Sequence, residues 1–168
     1  MVLNDVKQGF TTLWESMAEG WQRLRQSAAG ALIRFMPGEN STVPKKSEVD
    51  DDFYFPSQGW ALLGGDVFED DQRVVVRLEI PGMRKDDIRI EVTDDALVVS
   101  GEKRFAREAT EGRYRVLQCA YGNFRRVVPL ATRVLPDQAS ATYTDGVLKV
   151  VLPKESPGKP SAHTIRVS

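Results

Sequence analysis

One histidine and one cysteine in 168 residues leave this chain short of the side chains that most chemistry needs. His163 lies among Pro160, Ser161 and Ala162, with no fixed neighbour to orient it as a base, so it reads as a solvated tail residue. Cys119 has no internal disulfide partner and no nearby histidine to activate it, which suits a reducing compartment. Together the two cannot furnish a zinc site. Neither G-x-x-x-x-G-K-[ST] nor G-x-G-x-x-G occurs, so the usual phosphate cradles are missing. A net charge of −1 gives no basic stripe for nucleic acid. No run approaches the roughly 18 apolar residues of a membrane span, and Met1-Val-Leu-Asn-Asp5 lacks the basic flank of a signal peptide. Carboxylates abound, but Asp70-Asp71, Asp86-Asp87 and Asp94-Asp95 carry the signature of solvated turns. These absences predict a soluble, cytoplasmic protein that is not an enzyme, holds no cofactor or metal, and binds neither nucleic acid nor membrane.

What is present is organised in three parts. Residues 1–59 are read as an arm and linker. Val2, Leu3, Val6, Phe10, Leu13, Trp14, Met17, Trp21 and Leu24 fall within an arc of about 120° at 3.6 residues per turn, which predicts an amphipathic helix. Gly30 interrupts the pattern before Ala31-Leu-Ile-Arg-Phe-Met36, and Pro37-Gly38 stops it. The stripe either packs on the body of the protein or serves as a sticky surface. Its polar face mixes Lys7, Arg23 and Arg25 with Asp5, Glu15 and Glu19, whereas a helix made for anionic lipid would be more basic. From Pro37 to Gly59 the prolines and the acidic run Glu48-Val-Asp-Asp-Asp52 predict a solvated linker around the island Phe53-Tyr54-Phe55.

From residue 60 to 154 the hydrophobic period changes to two. Val74, Val76, Leu78 and Ile80 alternate with their neighbours, as do Ile88, Ile90 and Val92. Leu97–Ser100, Tyr114–Gln118, Phe124–Leu130, Ala139–Thr144 and Val147–Leu152 read as further strands, the last two joined by the hairpin turn Asp145-Gly146. Seven or eight short strands with regular turn signals predict an all-β, immunoglobulin-like antiparallel sandwich. Pro129 cannot donate to a ladder, so its strand should end there or lie at an edge. Residues 155–168 form an extended tail broken by Pro157 and Pro160 that closes on Thr164-Ile165-Arg166-Val167-Ser168. In an extended segment Ile165 and Val167 project to one side.

Taken in order, these residues resemble the small heat shock proteins, the Hsp20 family with an α-crystallin domain. The resemblance rests on Gly65-Asp-Val-Phe-Glu-Asp-Asp71, on Leu78-Glu-Ile-Pro-Gly-Met-Arg-Lys-Asp-Asp-Ile88, and on Leu97-Val-Val-Ser-Gly-Glu-Lys103. It continues through Tyr121-Gly-Asn-Phe-Arg-Arg126, Ala141-Thr-Tyr-Thr-Asp-Gly-Val-Leu148 and the terminal Ile165-Arg-Val167. It departs where Pro129-Leu130 stands in place of the family's Leu-Pro.

The resemblance implies an ATP-independent chaperone of the stress response that holds partly unfolded clients and works as a dynamic homo-oligomer built from dimers. It implies that Ile165 and Val167 anchor in a neighbour's groove between the strand of Ile88, Ile90 and Val92 and that of Ala139, Ala141 and Tyr143. Burying each anchor would contribute roughly 1.5–3 kcal/mol before ordering losses, so a single anchor stays reversible. The long charged excursion at 103–121 would carry a dimerising strand around Tyr114 and Val116 that adds to the partner's edge near Val67 and Phe68. Arg126 would be paired across strands or subunits. Client capture would fall to Phe10, Trp14, Trp21, Leu32, Phe35 and Met36. The alternatives are a β-sandwich co-chaperone that docks on one folded partner, and a membrane-associated structural protein using the arm.

Overall fold

The computed structural model describes residues 30–56, 59–109 and 111–156. Nine strands run through them: β1 (Leu32–Phe35), β2 (Gly59–Leu62), β3 (Gly65–Glu69), β4 (Arg73–Glu79), β5 (Ile88–Val92), β6 (Ala96–Lys103), β7 (Gly122–Pro129), β8 (Ser140–Thr144) and β9 (Val147–Pro153). The strands form a four-stranded sheet ordered β3-β4-β9-β8, a three-stranded sheet ordered β5-β6-β7, and the pair β1-β2, all with antiparallel neighbours. The antiparallel sandwich expected from the period-two runs is the fold observed.

The alternation places the core. Val74, Val76 and Leu78 of β4 and Leu148, Val150 and Leu152 of β9 face Leu97 and Val99 of β6 and Phe124 and Val128 of β7 in one apolar cluster. The hairpin between β8 and β9 turns at Asp145 and Gly146, with φ of 52° and 79°. Two successive left-handed residues are what a two-residue turn needs to match strand twist, and Asp-Gly supplies them at low cost. β7 ends at Pro129 on the outer edge of its sheet, where a missing N–H breaks no ladder.

Two expectations for the arm and linker are corrected. The helix does not run through Met36: Leu32–Phe35 is a strand paired with β2, Leu32 opposite Leu62 and Phe35 opposite Gly59. Gly30, with φ of 80°, precedes it. Ile33 and Phe35 point inward while Leu32 and Arg34 point out, so the six-residue apolar run is read at period two once the core is available. Phe35 is 2% exposed, its ring 5.3 Å from that of Phe124. Met36 then bridges Asn123 through reciprocal N–H···O bonds of 2.9 and 2.7 Å, extending the β7 edge.

The linker, too, is docked rather than solvated. Pro44, Val49 and Tyr54 are buried, and the Tyr54 hydroxyl donates to the Pro44 carbonyl at 2.7 Å. Burial and the nearby Glu48 carboxylate raise the Tyr54 pKa above its ordinary value.

The sandwich closes at the far end on a buried ion pair. The Lys154 ammonium, its side chain 1% exposed, lies 2.6 Å from Glu69 Oε1 on β3. Its backbone N–H donates to the Gln72 carbonyl, and the N–H of Glu155 to that of Arg133. Lys154→Ala is expected to destabilise the fold by about 3 kcal/mol, the low end for breaking such a pair, because Glu69 keeps some contact with water. Chemical denaturation of wild type and variant measures the difference.

Candidate assembly surfaces

β3 is the outer strand of its sheet, so one row of its backbone N–H and C=O groups has no ladder partner among the described residues. Val67 and Phe68 on it are 54% and 57% exposed. Register with β4 puts Val67 opposite the fully buried Val76, on the core side, and Phe68 opposite Val75 on the outer face. An unprotected edge of this kind invites another strand.

The excursion between β6 and β7 is built around rings. Phe105, buried, meets Tyr114 edge-on at 5.3 Å and Tyr121 edge-on at 5.0 Å. The Tyr114 hydroxyl accepts from the Glu108 N–H at 3.1 Å. The expected strand Tyr114–Gln118 is absent: the chain makes a single bridge at Tyr114 and bends at Arg115. The physical reason is competition from the linker. The Tyr114 N–H donates to the Glu48 carbonyl at 3.3 Å, and its carbonyl accepts from the Asp50 N–H at 2.8 Å, a parallel bridge centred on Val49. Tyr114 therefore spends its ring and its backbone inside its own chain. Val116, two residues on, is 59% exposed and free to meet a partner.

Charge fastens the same contact. Asp50 accepts from Arg113 Nε and Arg115 Nη1, both at 2.7 Å, and Glu48 accepts from Arg107 Nη2 at 2.9 Å. The hydrogen bond from Arg113 is the main influence holding the Asp50 carboxyl below its ordinary pKa. For Glu48 the first cause is the Lys45 backbone N–H, followed by Arg107. Thr42 adds a hydroxyl bond to the Phe105 carbonyl at 2.9 Å. Thr42 and Phe105 are not singled out by the sequence reading, and Glu48 and Asp50 appear there only within the acidic linker run, some sixty residues from the mixed charged excursion at 103–121.

The residues expected to receive the tail lie on the free edges of the two sheets. Ile88, Ile90 and Val92 on β5, with Ala139 and Tyr143, are partly buried against the common core. Ala141 sits opposite the buried Val150 yet is exposed, and the Tyr143 hydroxyl donates to the Ile80 carbonyl at 2.9 Å. Ala139 precedes β8, at the end of a short 3-10 turn. The anchors Ile165 and Val167 lie outside the described residues, as do Phe10, Trp14 and Trp21 of the arm.

Of the remaining proposed client contacts, Leu32 and Met36 are 54% and 55% exposed. Phe35 is corrected: it fills the core and offers no surface. Leu32 pairs with Leu62 and Arg34 with Trp60 across β1-β2, and Leu62 and Trp60 are each 53% exposed, giving this small sheet an apolar outer face. Arg126 shares the inward face of β7 with Phe124 and Val128, and its guanidinium extends to Gly30, where an added Cβ would lie 2.9 Å from Nη1. Its Nε is buried with no acceptor among the described residues, and burial lowers its pKa.

Residues 66–168 match the family model described as Hsp20/alpha crystallin family. The chain is 32% identical over 117 residues to an 18.2 kDa class I heat shock protein of Medicago sativa, covering 68% of this chain and 74% of that one. It is 33% identical over 95 residues to a 17.7 kDa class I heat shock protein of Oryza sativa subsp. japonica, covering 56% of this chain and 60% of the relative. Among solved structures, heat shock protein 16.0 from Schizosaccharomyces pombe is similar with a TM-score of 0.54 and 30% identity, covering 63% of this chain and 97% of that one.

Proposed function

Because the chain belongs to the Hsp20/alpha crystallin family, whose members are chaperones rather than enzymes, we propose that it is an ATP-independent holdase that binds partly unfolded proteins as a homo-oligomer built from dimers. The observation that carries this reading is the open β3 edge with its exposed Val67 and Phe68. Left uncovered, such an edge promotes disordered aggregation; covered by a second copy, it becomes a specific joint. The occupant proposed is the excursion around Arg115 and Val116 of the partner, whose backbone can add to that edge.

A second joint is proposed between the Ile165/Val167 pair of one subunit and the β5 and β8 edges of a neighbour, at Ile88, Ile90, Val92, Ala139, Ala141 and Tyr143. Each such joint is weak alone and strong in number, through effective concentration. Client contact is assigned to the arm, at Phe10, Trp14 and Trp21, with Leu32 and Met36 at its junction with the sandwich. Aromatic and Met-bearing surfaces adapt to many partners. A cytoplasmic setting suits the single free Cys119.

The test is light scattering of an aggregating client enzyme held at its denaturing temperature, without nucleotide, together with native mass spectrometry of the purified protein. Suppression at near-stoichiometric subunit ratios by a polydisperse or large assembly is expected. A monomer that leaves client aggregation unchanged would sink the proposal and favour an adaptor for one folded partner.

A further inference from the structure

Residues Glu48–Asp50 do more than tether the linker. We infer that they form the backing segment of a bridged arm, with Asp50 as the positioning residue, that presents the outward backbone edge at Arg113 and Arg115 to the β3 edge of a second copy of this chain. The inference rests on the dimer reading above and adds what prepares the joint.

The geometry follows from peptide planarity. The Tyr114 N–H points to the Glu48 carbonyl and the Tyr114 C=O to the Asp50 N–H. Across a trans peptide the C=O of one residue is antiparallel to the N–H of the next. The Arg113 C=O is therefore turned away from the linker, and so is the Arg115 N–H. The C=O and N–H of the two residues flanking a bridged one, on the same side, are a pair that the backbone of a sheet edge can take. The linker consumes the inward groups and leaves the outward pair for a partner.

Asp50 supplies the orientation. Its two carboxylate oxygens hold Arg113 and Arg115, both at 2.7 Å. Residues two apart share a face only while the backbone between them is extended, so one carboxylate gripping both keeps Tyr114 in its bridge. Without it two guanidinium groups would repel across the same span. Glu48 with Arg107 and Thr42 with the Phe105 carbonyl fix the ends of the arm. The partner fits in charge as well: β3 carries the exposed Asp66 beside Val67 and Phe68, against the basic Arg113 and Arg115 and the exposed Val116. On pairing, one protomer would lay this bridged pair of segments along the other's four-stranded sheet.

The experiment mixes full-length 14N- and 15N-labelled protein and follows subunit exchange by native mass spectrometry, with amide hydrogen exchange across 111–119 as a second reading. Asp50→Asn is expected to speed exchange about five- to tenfold, since the two ion pairs are exposed and individually modest. It should also strip protection from the Arg115 amide. Raising salt should speed wild-type exchange more than it speeds the variant, which has already lost the two Asp50 pairs. Asp50→Glu, which keeps a carboxylate able to reach both guanidinium groups, should recover most of the wild-type rate, which a general loss of stability would not allow. Phe68→Lys on the β3 edge separates the two layers of the argument. Faster exchange with Phe68→Lys but wild-type exchange with Asp50→Asn would overturn the backing role of Glu48–Asp50 and leave the dimer reading standing. Wild-type exchange in both variants would overturn both.

Discussion

Deleting residues 1–29 is expected to leave the melting temperature of the sandwich unchanged and to abolish suppression of client aggregation, whereas deleting residues 1–36 should lower that temperature by about 10 °C. The difference lies in seven residues. The longer deletion removes Ala31 and Phe35 from the core, the β1 partner of β2, and the Met36 bridge to Asn123. Loss of a buried phenylalanine alone costs about 3–5 kcal/mol, and in a chain of this size each kcal/mol moves the melting point by roughly 2–4 °C. The shorter deletion ends before Gly30 and touches none of these contacts. Differential scanning calorimetry and client light scattering on both truncations read the two effects apart. Full protection by the 1–29 deletion would remove the arm from client binding and shift that role to the outer face of β1-β2, with Leu32, Leu62 and Trp60.

The double variant Ile165→Ala, Val167→Ala should reduce the assembly to dimers or other small species without altering the unfolding of the sandwich. If the proposed joint buries both side chains, truncating them removes about 2.4 kcal/mol at Ile165 and about 1.6 kcal/mol at Val167. That loss recurs at every joint of the oligomer, so the effect on particle mass is far larger than the effect at any one contact. Light scattering coupled to size exclusion, over a range of protein concentration, measures it. An assembly of wild-type mass in the variant would place the tail outside the architecture of the oligomer.

The parts of the fold that could be read from sequence are those whose pattern is local. β4, β5 and β9 each repeat at period two over five residues or more, and Asp145-Gly146 has a single good conformation between strands. β1 was misread for the same reason inverted: Ala31-Leu-Ile-Arg-Phe-Met36 is too short to distinguish a helical stripe from an alternating strand. The core decides between them, by taking Phe35. The docked linker left no periodic trace, because Pro44, Val49 and Tyr54 are buried one at a time in an irregular segment. Its partners are specified by complementarity over a long sequence separation, Asp50 to Arg113 and Arg115, Glu48 to Arg107, which a linear reading sees only as two solvated runs. The edges of the sandwich were likewise legible as strands, but which of them stay open depends on sheet order, a property of the folded molecule.

The hydrogen bond from the Glu155 N–H to the Arg133 carbonyl, beside the sealed Lys154 ammonium, fastens the chain to the sandwich through Glu155. From Ser156 to Thr164 there are nine residues, a leash of about 30 Å at full stretch. Any subunit whose outer margin receives that end must therefore stand within this radius of its donor. In the proposed assembly that leash would cap the gap between adjoining sandwiches, and with it the curvature and porosity of any shell they enclose.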